Sequence, residues 1–309
     1  MHLLRAAKST LVILLGVLCA CASQPTAAND TALQSQLEAL VAGFAGEVGI
    51  YVRHLGSGSV AAIRADVAFP TASLIKIPIL IGIFAKLERG ELEWATPLVW
   101  DKARAYDQDD LLARVDTGTP IELGKLLHLM CAFSDNTASL WLQELAGTGT
   151  AINEWLSTHG FAVTRVNSRT PGREAAKQAF GWGTTTPREM AELIAKIRKG
   201  EVVSPAASER MYRTLCKTLW DHEAVSEVPP FVLAASKQGA VNASRSEVVL
   251  VHAPSGDYVF CLITKGQKDQ SWKHDNAGFV LLRATQRLLW QHFEPSTPWS
   301  PATGSERYW

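Results

Sequence analysis

Val248-Val249-Leu250-Val251 is apolar at every position, and a strand with no polar face must be covered on both sides. Two more strand-like runs flank it, Phe231 to Ala240 and Tyr258 to Thr264, with Pro254-Ser255-Gly256-Asp257 as the turn to the second. Towards the other end of the chain, Val48-Gly49-Ile50-Tyr51-Val52-Arg53 alternates, Gly56-Ser57-Gly58-Ser59 turns, and Val60-Ala61-Ala62-Ile63-Arg64 returns, which is a hairpin. Between the two groups the patterns are helical, from Leu74 to Leu87 and from Ile121 to about Ile197, with a long irregular loop before Thr184-Thr185-Thr186-Pro187. Amphipathic runs bracket everything: Asp30 to Ala45, with Asp30 or Thr31 as cap, and Ala277 to Phe293. The order predicts an α+β fold with a sheet assembled from both chain ends and an inserted helical lobe. A small-molecule cleft is expected where the lobes meet.

The chain has 309 residues, 47% of them apolar and 19% charged, which is an ordinary globular composition with a substantial core. Thirty basic residues balance thirty acidic ones, so no polyanion partner is indicated and nucleic-acid binding is not expected. Within residues 1–22, Arg5 and Lys8 precede the apolar run Leu11 to Leu18, too short to span a bilayer and remain there. It reads as an export signal. Leu18-Cys19-Ala20-Cys21 resembles a bacterial lipobox that would acylate Cys21 and anchor the protein to a membrane; Ala20-Cys21-Ala22 can also serve as a small-x-small cleavage site that frees a soluble protein. Residues 23–31 then form a polar linker, 32–295 the folded domain and 296–309 a tail, in a protein of the bacterial envelope or periplasm.

Past the signal only Cys131, Cys216 and Cys261 remain, an odd number in apolar surroundings, which predicts buried thiols and no disulfide framework. The eight histidines form no His-x-x-x-His pattern, so no metal or other cofactor is expected, and the protein is expected to be a monomer.

Three polar stretches interrupt the apolar patterns: Ser73-Leu74-Ile75-Lys76, Ser134-Asp135-Asn136 and Lys237-Gln238-Gly239. A serine needs a base to become a nucleophile, and Lys76, one helical turn after Ser73, shares its face. A desolvated lysine near other cations loses its proton readily. Ser134 precedes another apolar helix, where it can relay a proton to a leaving nitrogen while Asn136 offers its amide to substrate and to Lys76 and Asp135 holds the loop. Lys237 lies in or just after a strand, where its ammonium can attract a substrate carboxylate; Gly239 permits close approach, and the N–H of Ala240 can complete an oxyanion hole with that of Ser73. Each stretch alone also reads as structure: a capping serine with a solvated lysine, a helix cap, an edge charge. Their joint occurrence in order favours chemistry.

The three motifs, with Ser134-Asp135-Asn136-Thr137-Ala138, Val163-Thr164-Arg165, Thr184-Thr185-Thr186-Pro187 and the Ala253-Pro254-Ser255-Gly256 turn, resemble the class A β-lactamases from about Leu33 to Phe293. The resemblance implies a five-stranded antiparallel sheet flanked by the terminal helices, an inserted helical lobe, and acylation of Ser73 by a β-lactam or related amide. Two departures stand out. The family's deacylating glutamate would fall at Thr170, which cannot act as a base; Glu174, four residues on, either reaches the same water or pairs with Arg173 or Arg169 to hold the loop. An arginine used for the substrate carboxylate would fall at Ser246, and Arg245, one residue off, points to the opposite face of its strand unless a bulge intervenes. The family's helical-lobe disulfide also lacks its cysteines.

The leading expectation is an exported serine hydrolase that opens β-lactams or related amides through a Ser73 acyl-enzyme, with Glu174 in the base role. A second is a penicillin-binding or D,D-peptidase-like protein, acting on a peptidoglycan-like or other amide or ester, that deacylates β-lactams poorly. A third, an inactive envelope binding module, sits badly with intact Ser73, Lys76, Ser134 and Lys237.

Overall fold

The computed structural model describes residues 28–308; the export segment, Cys21 and the first part of the linker lie outside the described residues. In chain order the elements are α1 (Thr31–Val41), β1 (Glu47–His54), β2 (Val60–Ile63), β3 (Phe69–Pro70), α2 (Lys76–Glu88), β4 (Pro97–Val99), β5 (Pro120–Glu122), α3 (Leu123–Ala132) and α4 (Asn136–Leu145). They continue with α5 (Thr148–Thr158), β6 (Arg165–Val166), α6 (Glu174–Phe180), β7 (Gly183–Thr185), α7 (Pro187–Arg198), α8 (Pro205–Leu215), β8 (Ala234–Val241), β9 (Ser244–Val251), β10 (Tyr258–Lys265) and α9 (Ala277–Phe293).

The main sheet runs β2-β1-β10-β9-β8, antiparallel throughout, so strands from the two ends of the chain meet at the β1–β10 pair. Every residue of β9 is buried. The reason is a core on each side: Val248 and Leu250 pack into the larger core with α2, α3, α4 and α7, while Val249 and Val251 pack beneath α1 and α9. Each such side chain contributes about 1.5–3 kcal/mol of burial. α2 crosses the larger core, buried from Lys76 to Ala85, which explains its nearly continuous apolar sequence. The expectation of an α+β fold with a five-stranded antiparallel sheet and a helical lobe is met.

Local chemistry moved some boundaries. Asp30 caps α1, its Oδ1 accepting from Leu33 N–H at 3.0 Å. The helix stops at Val41, short of Ala45, because Gly43 turns left-handed with φ of 81°. Strand β8 begins at Ala234, not Phe231: Pro229-Pro230 precede it, proline cannot donate to a ladder, and the Phe231 side chain is exposed. Cys131 and Cys261 are buried free thiols, and Cys216 is half-buried and also free.

Candidate active site

Ser73 lies in a single 3₁₀ turn, Ala72–Ile75, wedged between β3 and α2. The turn is tied down by Thr71 N–H donating to Gly183 O on β7 at 3.0 Å and Leu74 N–H donating to Thr71 O at 3.0 Å. Ala72 takes φ of 43°, a left-handed conformation that costs a non-glycine residue roughly 1–3 kcal/mol and is tolerated where surrounding structure over-determines it. Lys76 is the first residue of α2, and its Nζ stands 3.1 Å from Ser73 Oγ, 3.0 Å from Ser134 Oγ and 2.8 Å from Asn136 Oδ1, with Ser134 O also in contact. Burial, reinforced by the nearby Lys237 charge, drives the Lys76 pKa well below its ordinary value, with Asp110 and Asp135 only partly opposing the shift.

The second motif is strained as well. Ser134 has φ of 60°, and this left-handed turn lets Asp135 N–H reach Leu129 O at 3.1 Å before α4 starts. Asp135 caps α4 through Ala138 N–H at 2.7 Å and accepts from Leu112 N–H at 3.0 Å. It therefore holds the loop, as expected. Asp110 does the same from outside: its carboxylate accepts from Asn136 N–H at 3.0 Å, Thr137 N–H at 2.8 Å and Thr137 Oγ1 at 2.6 Å. Sequence reading missed Asp110, because its partners lie far along the chain.

Strand β8 supplies the third wall. Lys237 Nζ donates to Ser134 Oγ at 3.0 Å and to Gln238 O at 2.9 Å, which joins all three motifs through Ser134. Burial lowers the Lys237 pKa from 10.5 to about 8, with the Glu223 and Glu247 charges acting in the opposite sense. Gly239 backs directly onto the Ser73 turn: a methyl there would stand 2.9 Å from both Ser73 N and Thr71 O. Ala240 lines the cleft beside Ser73. The cleft has two arms that share Ser73, Asn136 and Ala240. One, of about 490 Å³, runs between Tyr106 and Trp182, whose rings meet edge-on at 5.0 Å, and the β8–β9 turn. The other, of about 520 Å³, passes Ser134 and Gln238.

Glu174 is not brought to this cluster. It begins α6 as a solvent-exposed residue, its Oε1 accepting from Gly172 N–H at 3.2 Å, and it lines neither arm. Arg173, a partner considered for it, instead donates to Asn167 Oδ1 at 2.8 Å. Thr170 is buried facing α5, its Oγ1 donating to Ser168 O at 2.9 Å and occupying the space over Gly149. The loop is held by other means, notably Glu189, which accepts from the backbone N–H groups of Ala162 at 2.7 Å and Thr164 at 2.6 Å. Arg245 is turned away as the strand register requires: its guanidinium donates to Ser244 O at 2.9 Å, with Val241 O and Ser271 O also accepting, while Ser246 Oγ on the cleft side donates to Gly239 O at 3.0 Å. Among the described residues, no group of three or more His, Cys, Asp or Glu side chains is placed to hold a metal ion.

A model of the beta-lactamase enzyme family matches residues 32–293. The chain belongs to that family. Among its relatives, beta-lactamase FAR-1 of Nocardia farcinica is 26% identical over 82% of this chain and 81% of its own. Beta-lactamase AER-1 of Aeromonas hydrophila is 24% identical over 79% and 81%. Among solved structures, PBP-A superposes with a TM-score of 0.78 at 26% identity, covering 88% of this chain and 100% of that one. A point mutant of PBP-A, solved as an acyl-enzyme complex with penicillin G, matches with the same score and identity over 88% and 99%. A class A beta-lactamase from Mycobacterium abscessus shares the fold, with a TM-score of 0.74 at 18% identity over 84% and 99%. The chain is thus a serine hydrolase of the beta-lactamase family.

Proposed function

We propose that this protein opens β-lactams or related amides through an acyl-enzyme on Ser73 and releases the acyl group slowly, in the manner of a penicillin-binding protein. The observation that carries the reading is the buried Lys76 amine, 3.1 Å from Ser73 Oγ and 3.0 Å from Ser134 Oγ. Neutral Lys76 takes the Ser73 proton as Oγ bonds to the carbonyl carbon. The N–H groups of Ser73 and Ala240 receive the oxyanion, a role worth roughly 3–4 kcal/mol per donor. When the C–N bond breaks, its electrons pass to nitrogen, Ser134 gives that nitrogen its proton, and Ser134 is reprotonated by Lys76. Lys237 steadies Ser134 throughout.

Slow release is supported by the loop that carries Thr170 and Glu174. A base must reach the attacking water, yet the Thr170 hydroxyl is committed to Ser168 O and Glu174 faces solvent. Fast turnover is the competing reading, favoured by the relatives named as beta-lactamases. Export to the bacterial envelope belongs to the same proposal and is supported by the basic-then-apolar pattern of residues 1–22, with lipid anchoring at Cys21 or cleavage to a soluble form as the two outcomes.

Intact mass over time, with the chain from Ser23 onward and excess benzylpenicillin, tests the reading. The expected result is a benzylpenicilloyl adduct on Ser73 that persists and is lost in Ser73→Ala. An adduct that decays with accumulation of hydrolysed product establishes fast turnover instead, and the lack of any Ser73 adduct overturns the acyl-enzyme.

A further inference from the structure

Helix α4 is capped twice. Asp135, its N-cap, accepts from Ala138 N–H at 2.7 Å, and one such bond is what a helix start ordinarily takes from a side chain. The donors left over beside a cleft can go to water. Here Asn136 N–H and Thr137 N–H go instead to the half-buried Asp110, at 3.0 and 2.8 Å, although it stands 26 residues before Asn136 in the chain. A second carboxylate at this helix end has a cost. Burial and then the Asp110 charge push the Asp135 carboxyl upward, against the hydrogen bonds from Ala138 and Leu112.

What the second carboxylate gains is position. Thr137 Oγ1, fully buried, donates to Asp110 Oδ2 at 2.6 Å and accepts from Tyr106 N–H at 3.0 Å. One carboxylate thus ties Tyr106, in the wall of one arm, to Asn136, which belongs to both. Asn136 Oδ1 in turn accepts from Lys76 Nζ at 2.8 Å, so a single residue separates Asp110 from the amine. The charges follow the same line. The oxygens within hydrogen-bonding distance of Lys76 Nζ, from Ser73, Ser134 and Asn136, are all neutral. Burial and Lys237 of β8 press the amine towards its neutral form, and the groups that oppose them are Asp110 first, then Asp135 and Cys131 of α3. Burial pushes the Cys131 thiol up to about 12, so it carries no charge at neutral pH. Asp109, the next acid along, is exposed and turned to Arg114 at 3.5 Å. Glu174 lines neither arm.

We infer that Asp110 is a positioning residue for acylation of Ser73: its hydrogen bonds hold Asn136 against Lys76 and Tyr106 against the cleft, and it supplies the anion that faces Lys76 across Asn136. The inference rests on the acyl-enzyme reading, in which Lys76 must be neutral to take the Ser73 proton. Two consequences separate the charge from the bonds. Removing the negative charge favours the neutral amine, so Ser73 becomes competent at lower pH. Removing the bonds lets Asn136 and Lys76 drift, so the limiting rate falls.

Rapid-quench intact mass with benzylpenicillin, at several concentrations and from about pH 5 to 9, separates the limiting acylation rate from the half-saturating concentration. Asp110→Asn keeps the shape and loses the charge, and the acidic limb of its limiting rate should move to lower pH. Asp110→Ala should move the limb in the same direction and also lower the plateau by about tenfold or more, as a displacement of under about 1 Å does. Thr137→Val keeps the Asp110 charge and frees Tyr106: the limb should stay in place while the half-saturating concentration rises about twofold to tenfold, the worth of one neutral hydrogen bond. A limb that stays put or moves to higher pH in Asp110→Asn overturns the inference. So does a plateau within about twofold of wild type in Asp110→Ala, even with a lowered melting temperature, because a merely structural residue would move only the melt. A Thr137→Val limb that shifts as far as that of Asp110→Asn also overturns it, since the limb would then report the bond and not the charge. Where Asp110→Ala fails to fold, the Asp110→Asn limb decides alone. If wild type shows no Ser73 adduct at any pH, the acyl-enzyme reading falls and this inference falls with it.

Discussion

Replacing Gly239 by alanine should damage catalysis more than stability. The new methyl would meet Ser73 N and Thr71 O at 2.9 Å and Ser246 Oγ at 2.7 Å. The Ser246 hydroxyl can rotate away. The two backbone atoms cannot, because Thr71 and its turn are tied to β7 by the Thr71–Gly183 hydrogen bond of 3.0 Å. Restoring ordinary contact requires β8 and the Ser73 turn to separate by about half an ångström, and that displacement falls on the nucleophile itself. A misplacement of about 1 Å costs on the order of a hundredfold in rate, so acylation should drop by about tenfold or more. Overpacking costs roughly 1–3 kcal/mol, while the lost backbone freedom of glycine returns only about 0.4–1 kcal/mol. The clash wins, and the melting temperature should fall by a few degrees at roughly 2–4 °C per kcal/mol. Single-turnover acylation by benzylpenicillin, followed by intact mass beside a thermal melt, measures both. A Gly239→Ala protein that acylates within about twofold of wild type would show that the close approach of β8 to the Ser73 turn does not set the nucleophile's position.

Glu174→Gln should leave both acylation and release of the acyl group unchanged, because the carboxylate faces solvent, where it accepts from Gly172 N–H; slowed release in the same mass assay would restore Glu174 as a base. Lys237→Met should raise the melting temperature at pH 7 while cutting acylation by about a hundredfold. The sign follows from linkage: the folded state holds the Lys237 proton with a pKa of about 8 against 10.5 when unfolded, so the unfolded chain binds more protons between these values and stability rises with pH across that window. Burial of the charge therefore costs stability below about pH 8, and the advantage of Lys237→Met should shrink as pH approaches 10.5; an advantage that stays constant with pH would contradict the assignment.

Much of this architecture was legible from local pattern. The all-apolar Val248–Val251 run demanded cover on both faces, and two cores supply it. Residues Ala277–Phe293 form the closing helix at the expected limits. The geometric meeting of Ser73, Lys76, Ser134, Asn136 and Lys237 followed from motif order, although the contacts are long-range. What escaped was set by direction and not by identity. Glu174 has suitable chemistry at a suitable spacing, yet starting a helix there turns its carboxylate outward. Asp110 looks like one of several loop acids until folding lays it against the 136–137 backbone. Trp220 and Trp272 sit in segments without periodicity, so nothing local announces that they share a wall with the nucleophile.

The sheet that separates the two cores also divides the molecule's tolerance to change. Side chains on opposite faces of β9 belong to two separate apolar clusters, and effects of well-separated substitutions add to within about 0.3–0.5 kcal/mol. Repacking Leu33, Val249 or Leu282 in the terminal-helix compartment can thus alter the protein's overall stability without repositioning Lys76, which lies in the other compartment. Arg245 is the exception, because it lies on the terminal-helix face yet carries Trp272 at the cleft. Directed stabilisation has a compartment of its own to work in, with one residue through which it would reach the cleft.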